Sequence, residues 1–212
     1  MEIIDITLPI SERTPVWAGD NPPEFRSAAS IKGGDLYNST IVTLGTHTGT
    51  HIDAPRHFIA DGATLETIPL AQLTGKTQVV EIDEDVLAIT AEILSNLDLN
   101  TDIHKLLFKT RNSNLWVEDP YSFRKNFTAL TADGAAFLAE KNFEFVGIDS
   151  FSISVFSDLA EPHRILMDKG IVVLENADLH LVNPGVYTMM CLPLPFIGVE
   201  ASPVRAVLIK DE

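Results

Sequence analysis

Short apolar runs rich in β-branched residues recur along the chain. They predict strands at Ile3 to Leu8, Asn38 to Leu44, Thr77 to Ile82, Lys105 to Lys109, Phe143 to Ile148, Ile171 to Leu174 and Val204 to Ile209. Helical signals are fewer, at Thr90 to Leu97, Thr131 to Lys141 and Pro162 to Lys169, the last with proline in its first turn and Gly170 as a stop. These helices fall between strands rather than in a separate block, which predicts a single mixed α/β domain over residues 1–212 with at least one buried sheet. No repeat, low-complexity tract or Pro/Gly/Ser linker divides the chain. The polar segment Arg111 to Asn126 is expected to be a long surface loop.

Composition narrows the partners. With 212 residues and 45% apolar side chains the chain can bury one substantial core. Thirty acidic residues stand against 15 basic ones, a net charge of -15, so the long-range field repels phosphate backbones and anionic membrane surfaces and argues against nucleic-acid or membrane partners. Met1 to Asp5 has no basic leader, and no apolar run reaches the roughly 18 residues a membrane helix needs, which together predict a cytoplasmic protein. The single cysteine, Cys191, rules out a multi-thiolate zinc site, so any metal must be held by nitrogen and oxygen.

The segment Thr46-His47-Thr48-Gly49-Thr50-His51-Ile52-Asp53-Ala54-Pro55-Arg56-His57 supplies such groups. Taken singly, a histidine is ordinarily a surface or core residue. Here three of the chain's six histidines and one aspartate fall within eleven positions, and imidazole with carboxylate is the natural donor set for a zinc-like ion. His47 and His51 are four apart, but Thr48, Gly49 and Thr50 are weak helix formers and Pro55 follows. A tight irregular loop after the Asn38 to Leu44 strand is therefore expected rather than a metal-binding helix.

The pattern His47-Thr48-Gly49-Thr50-His51-x-Asp53-x-Pro55-x-His57 resembles the signature of the cyclase-like metal-dependent hydrolases, which include bacterial kynurenine formamidases and isatin hydrolases. The resemblance continues through Gly147-Ile148-Asp149-Ser150, His163-Arg164, Leu174-Glu175-Asn176, Leu192-Pro193-Leu194 and Ser202-Pro203-Val204-Arg205-Ala206, covering nearly the whole chain. It implies a swivelling β/β/α fold and a homodimer or homotetramer. It also implies two divalent ions per chain, zinc or else manganese: His47 and His51 on the first, His163 on the second, Asp53 and Glu175 shared by both. Anionic ligands between two cations offset their repulsion, which makes that arrangement physically reasonable.

The resemblance makes His57 the catalytic proton shuttle, with a third metal ligand as its alternative, and Trp17 a substrate contact, the alternative being a packed aromatic near Pro15. Phe58 and Phe151 are expected to line the same pocket, while His104 and His180 match no ligand position. The implied activity is hydrolysis of a non-peptide amide by metal-activated water, most specifically the N-formyl group of an aryl amide such as N-formylkynurenine. Cleavage of a cyclic amide, imide or lactone is the nearest rival, and a non-catalytic metal- or ligand-binding relative comes third. Two departures bear on the substrate: Arg56 stands where the formamidases commonly carry an apolar residue, and Ser150 to Ser154 lacks an aspartate often found there.

Overall fold

A computed structural model describes residues 1–210; Asp211 and Glu212, the end of the expected domain, lie outside the described residues. In chain order the strands are β1 (Glu2–Asp5), β2 (Glu24–Ala29), β3 (Ser39–Thr43), β4 (His51–Asp53), β5 (Thr74–Glu81), β6 (Ala88–Ile89), β7 (Lys105–Lys109), β8 (Ala129–Leu130), β9 (Phe145–Ile148), β10 (Val172–Glu175), β11 (Gly185–Pro193) and β12 (Ala201–Lys210). The α-helices are α1 (Ala91–Ser95), α2 (Asn112–Glu118), α3 (Ala132–Ala139) and α4 (Ala160–Asp168). All seven strands and three helices predicted from periodicity are present.

Eight strands join in the order β1-β12-β11-β5-β7-β9-β10-β4, and β4 also pairs with β12, so the sheet curls into a barrel-like closure. Strands β5, β7, β9 and β10 run parallel, and the remaining pairs in the sheet are antiparallel. Of the parallel strands, β7, β9 and β10 read as compact apolar runs because both their faces are covered, whereas β5 is apolar only at Val79 and Val80. Leu107, Phe145, Val172 and Leu174 point into the barrel with Ile52, Met189, Cys191 and Leu208. Leu106, Phe108, Val146, Ile148 and Val173 point outward beneath Leu94 of α1, Leu138 of α3 and Leu166 of α4. The result is a mixed α/β fold with one core inside the barrel and a second under the helices.

Local chemistry sets the helix ends. Thr90 and Thr131 cap α1 and α3 by accepting from the backbone N–H of Ile93 and Gly134. Pro162 sits within the first turn of α4, where a missing N–H costs nothing, and Gly170 ends the helix at φ 71.

Two expectations need correction. Arg111 to Asn126 is not wholly a surface loop: it contains α2, which buries Asn112, Ser113 and Trp116. Its anchor is the buried carboxylate of Asp149, just past β9, which accepts from the backbone N–H of Thr110 and Ser113 at 2.7 and 3.0 Å and from their hydroxyls at 2.8 and 2.6 Å. Trp116 Nε1 donates to the Asp149 carbonyl at 2.8 Å. A polar segment is thus drawn inward by a group distant in sequence. The second concerns the histidine segment: Thr46 to Thr50 is the expected irregular turn, but His51–Asp53 is a strand, β4, held between β10 and β12.

Asp149→Asn tests this anchor. An amide cannot accept from all four donors, and its own NH2 faces N–H groups, leaving buried donors unsatisfied at a cost of about 1–3 kcal/mol. Urea unfolding should show a loss of that size, and unchanged stability would mean that α2 is held by other contacts.

Candidate metal centre

Strand β4 places the central groups. Side chains alternate along a strand, so His51 and Asp53 share one face while Ile52 enters the barrel core. Register with β10 sets Glu175 directly opposite His51, and β12 covers the other edge with Ala201 opposite Asp53. His47 lies in the turn before β4, and His57 lies in a 3₁₀ turn, Pro55–His57, just after it. His163 comes from the first half of α4. All six residues singled out from the sequence as ligands or catalytic group meet here.

The distances divide each carboxylate between two sides. Asp53 Oδ1 lies 2.9 Å from His47 Nδ1 and 3.5 Å from His51 Nε2, while its Oδ2 lies 3.9 Å from His163 Nε2. Glu175 Oε2 lies 3.5 Å from His51 Nε2, and its Oε1 lies 3.1 Å from His163 Nε2 and accepts from the Ile153 N–H at 2.7 Å. His51 Nδ1 is 2.8 Å from the Gly49 carbonyl, and His163 Nδ1 is 2.7 Å from both the Leu159 carbonyl and Ser154 Oγ. A carbonyl only accepts, so each Nδ1 carries a hydrogen and Nε2 is the nitrogen each ring turns toward the carboxylates.

His51 Nε2 and both oxygens of Asp53 are buried without a hydrogen-bond partner. Buried polar atoms are normally paired, and leaving one unpaired costs about 1–3 kcal/mol. A convergence of lone pairs and carboxylate oxygens lacking donors is what a divalent cation satisfies, so the residues present fit a metal. Two sets of ligand atoms are compact enough to hold an ion, His51 with Asp53 and Glu175, and His47 with Asp53 and His57.

Electrostatics follow the geometry. For Glu175, burial favours the neutral acid, but the His163 ring at 3.1 Å and the His51 ring at 3.5 Å outweigh it and hold the carboxyl well below the usual range. For Asp53, burial and Glu175 push upward while His47 and His51 bring the net shift down. Burial lowers His47, yet the Asp53 carboxylate beside it lifts the ring to about 9. His57 moves the other way: burial comes first, His47 and His163 add to it, and Asp53 and Glu175 only partly oppose, so the ring is held below its ordinary value. Its ring lies over His47 with centroids 4.2 Å apart and meets Phe58 edge-on at 4.4 Å.

The centre forms the floor of a cavity of about 320 Å³, within the range of small-molecule sites. Trp17, Phe58 and Phe151 line it, as expected from the sequence. Trp17 is also packed, stacking on Phe156 at 5.7 Å and meeting Phe123 edge-on at 4.9 Å, so one side chain is both anchored and on the cavity wall. Arg56 is exposed, donates to the Ala60 carbonyl and does not line the cavity. In the segment lacking the aspartate, Ser154 instead supports His163. His180 pairs with Asp178 away from the site.

Sequence reasoning missed Glu200 and Asn176 as supports. Glu200 Oε1 lies 3.5 Å from His47 Nε2. Its one signal is that it is the first charge after the uncharged stretch 181–199. Asn176 adopts φ 56 and donates to the Gly49 carbonyl, while its own carbonyl accepts from Thr50, tying the histidine segment to the end of β10.

A buried carboxylate–histidine cluster open to a small-molecule cavity defines a metal-dependent hydrolase. Residues 4–155 match the family described as "Putative cyclase", and the chain belongs to that family. Kynurenine formamidase of Salinibacter ruber (strain DSM 13855 / M31) is 33% identical over 210 residues, covering 98% of this chain and 97% of that protein. A solved "potential metal-dependent hydrolase with cyclase activity" matches with TM-score 0.85 and 32% identity over 100% of this chain and 98% of its own. An isatin hydrolase bound to the product analogue thioisatinate shares the fold, with TM-score 0.85 at 16% identity over 100% of this chain and 93% of its own. Among the described residues no helix is long and apolar enough to cross a membrane.

Because Glu175 faces histidines on both sides, Glu175→Gln removes a charge that would hold a cation there while keeping the shape. Elemental analysis should find less bound metal than in the wild type, and adding zinc to metal-depleted protein should raise Tm less. Wild-type metal content in the variant would reduce Glu175 to a packing role.

Proposed function

We propose that the protein hydrolyses a non-peptide amide, specifically the N-formyl group of an arylamine such as N-formylkynurenine, to formate and the free amine. The reading is carried by the convergence, in one aromatic-walled cavity, of a donor-poor carboxylate–histidine cluster and the imidazole of His57. The formamidase relative, similar along nearly the full length of both chains, supports the substrate class. His47, His51, Asp53 and Glu175 would hold a first divalent ion, and Asp53, Glu175 and His163 a second, with zinc as the metal and manganese as its alternative. When bound, such ions polarise a carbonyl oxygen and acidify a water.

The chain's own residues do the rest. His57 accepts a proton as the water oxygen bonds to the formyl carbon, then returns it to nitrogen as the C–N bond breaks. An arylamide nitrogen leaves poorly as an anion, which is why that return matters. One water is consumed, and the formic acid released ionises to formate. The Trp17 indole receives the aryl ring, and Phe58 and Phe151 keep bulk water from the reacting carbon.

A specific observation favours a second reading, opening of a neutral cyclic amide, imide or lactone by the same residues. No Lys or Arg is among the described residues lining the cavity, so nothing there pairs with the carboxylate of an amino-acid substrate. We also propose a homo-oligomer, a dimer or tetramer. The β2–β3 ribbon carries exposed Phe25, Leu36, Tyr37, Ile41 and Val42, and an isolated two-stranded ribbon is marginal in water unless covered.

Turnover of metal-loaded protein on N-formylkynurenine, simple N-formylanilides, isatin and aryl lactones decides the substrate. The formamidase reading expects the first two to be cleaved fastest. Activity confined to the cyclic compounds would replace it with the second reading, and tight binding without cleavage would make the chain a non-catalytic relative.

The role of His57 is separable from metal binding. His57→Asn should keep the wild-type metal content while turnover falls by about 10²–10⁴-fold, with a smaller loss for an activated ester whose leaving group needs no proton. Loss of metal in step with activity would make His57 a ligand instead.

A further inference from the structure

We propose that Glu200 is a positioning residue of the metal centre: its carboxylate takes the outer N–H of His47 and so decides which nitrogen of that ring faces Asp53. The inference rests on the metal-binding reading above and adds a residue outside the histidine segment.

The other two ligand histidines show what needs supplying. A ring nitrogen can give its lone pair to a cation only if the hydrogen sits on the opposite nitrogen, and an acceptor at that nitrogen holds it there. For His51 the acceptor is the Gly49 carbonyl, 2.8 Å from Nδ1. For His163 it is the Leu159 carbonyl, 2.7 Å from Nδ1. Both rings therefore turn Nε2 inward. His47 is reversed: Nδ1 faces inward, 2.9 Å from Asp53 Oδ1, and the nitrogen needing an outer acceptor is Nε2. What faces Nε2 is Glu200 Oε1, at 3.5 Å.

Glu200 is itself held. Thr46 Oγ1 donates to the same Oε1 at 2.6 Å, and the Glu200 carbonyl accepts from the Ala54 N–H at 2.8 Å. The next residue, Ala201, lies in register opposite Asp53. The strand pairing that buries the central carboxylate thus also delivers the outer one. His47 needs this support most, because its side chain is 27% exposed while those of His51 and His163 are 2% and 4% exposed and fixed by surrounding packing. A carboxylate is also a stronger acceptor than a carbonyl, so it makes the His47 lone pair the better donor to a cation.

Competition of metal-depleted protein against a chromophoric zinc chelator tests this in the wild type and in Glu200→Ala, Glu200→Gln and Glu200→Asp. Wild-type protein should take up two ions. Glu200→Ala should weaken one of them by about 10–100-fold, the usual effect of removing an outer partner of a ligand histidine, and leave the other unchanged. Glu200→Gln, which still offers an acceptor oxygen but no charge, should fall between Ala and wild type, and Glu200→Asp should recover part of the affinity. Tm of the metal-free protein should differ little among the four, since the other bond disturbed, from the Thr46 hydroxyl, is only part-buried and the carboxylate acts on a ligand rather than on the core.

Unchanged affinity for both ions in Glu200→Ala would overturn the inference. So would complete loss of one ion in Glu200→Ala and Glu200→Gln alike, because that marks a direct ligand, and so would a lowered metal-free Tm that accounts for the weaker binding. Failure of the wild-type protein to bind any divalent ion would instead overturn the metal-centre reading on which the inference stands.

Discussion

The Asp53 carboxylate sits where the sheet closes on itself, fully buried between β10 and β12, with no hydrogen-bond donor on either oxygen and the carboxylate of Glu175 acting against it. An uncompensated buried charge costs several kcal/mol, and a second carboxylate beside it adds to the cost. The surrounding structure compensates. His47, His51 and His163 approach from three directions, Ile153 offers Glu175 one N–H, and the Gly49 and Leu159 carbonyls hold the hydrogens of two rings on their outer sides. A divalent cation completes the same arrangement, and the fold tolerates such a cluster because it is built to be neutralised.

The barrel explains why the cluster forms at this end. Glu175 is the last residue of β10, Asp149 follows the last residue of β9 and Thr110 follows the last residue of β7. Polar groups thus collect at the carboxyl ends of the parallel strands, where the apolar runs stop and the connections leave room, as in open α/β sheets. Of these groups, Glu175 faces the histidines, whereas Asp149 is spent on seating α2, which brings Trp116 to within 4.7 Å of the Phe151 ring at the cavity wall. Two buried carboxylates on adjacent strands have different tasks because of the donors around them. Asp149 has a full set of N–H and O–H partners and burial raises it to about 6, while Glu175 has rings and is driven the other way.

The opposite pull on His47 and His57 has a similar origin. Both rings are largely buried and lie 4.2 Å apart with tilted planes, yet only His47 has a carboxylate oxygen at 2.9 Å. The partner takes up the cost of charge on one ring, and that charge raises the cost on the other. The same burial therefore leaves two neighbouring rings shifted in opposite directions.

The strand-rich α/β pattern was legible in the sequence because β7, β9 and β10 are buried on both faces and carry compact apolar runs. The sequence also determined most of the site, since His47, His51, Asp53 and His57 fall within eleven positions and a single strand with two short flanks can bring them together. Strand β4 was hidden because three residues between a glycine turn and a proline show no periodicity, and α2 was hidden because its buried face sets Asn112 and Ser113 beside a single aromatic, Trp116, and is anchored by hydrogen bonds to Asp149. Residues His163 and Glu175 were legible only through resemblance. Their approach to Asp53 depends on the packing of α4 and the register of β10, neither of which leaves a local pattern. That Glu200 faces His47 could not be read from the chain, because side chains so far apart in sequence meet through the pairing of β12 with β4, a contact set by barrel closure and not by any neighbouring residue.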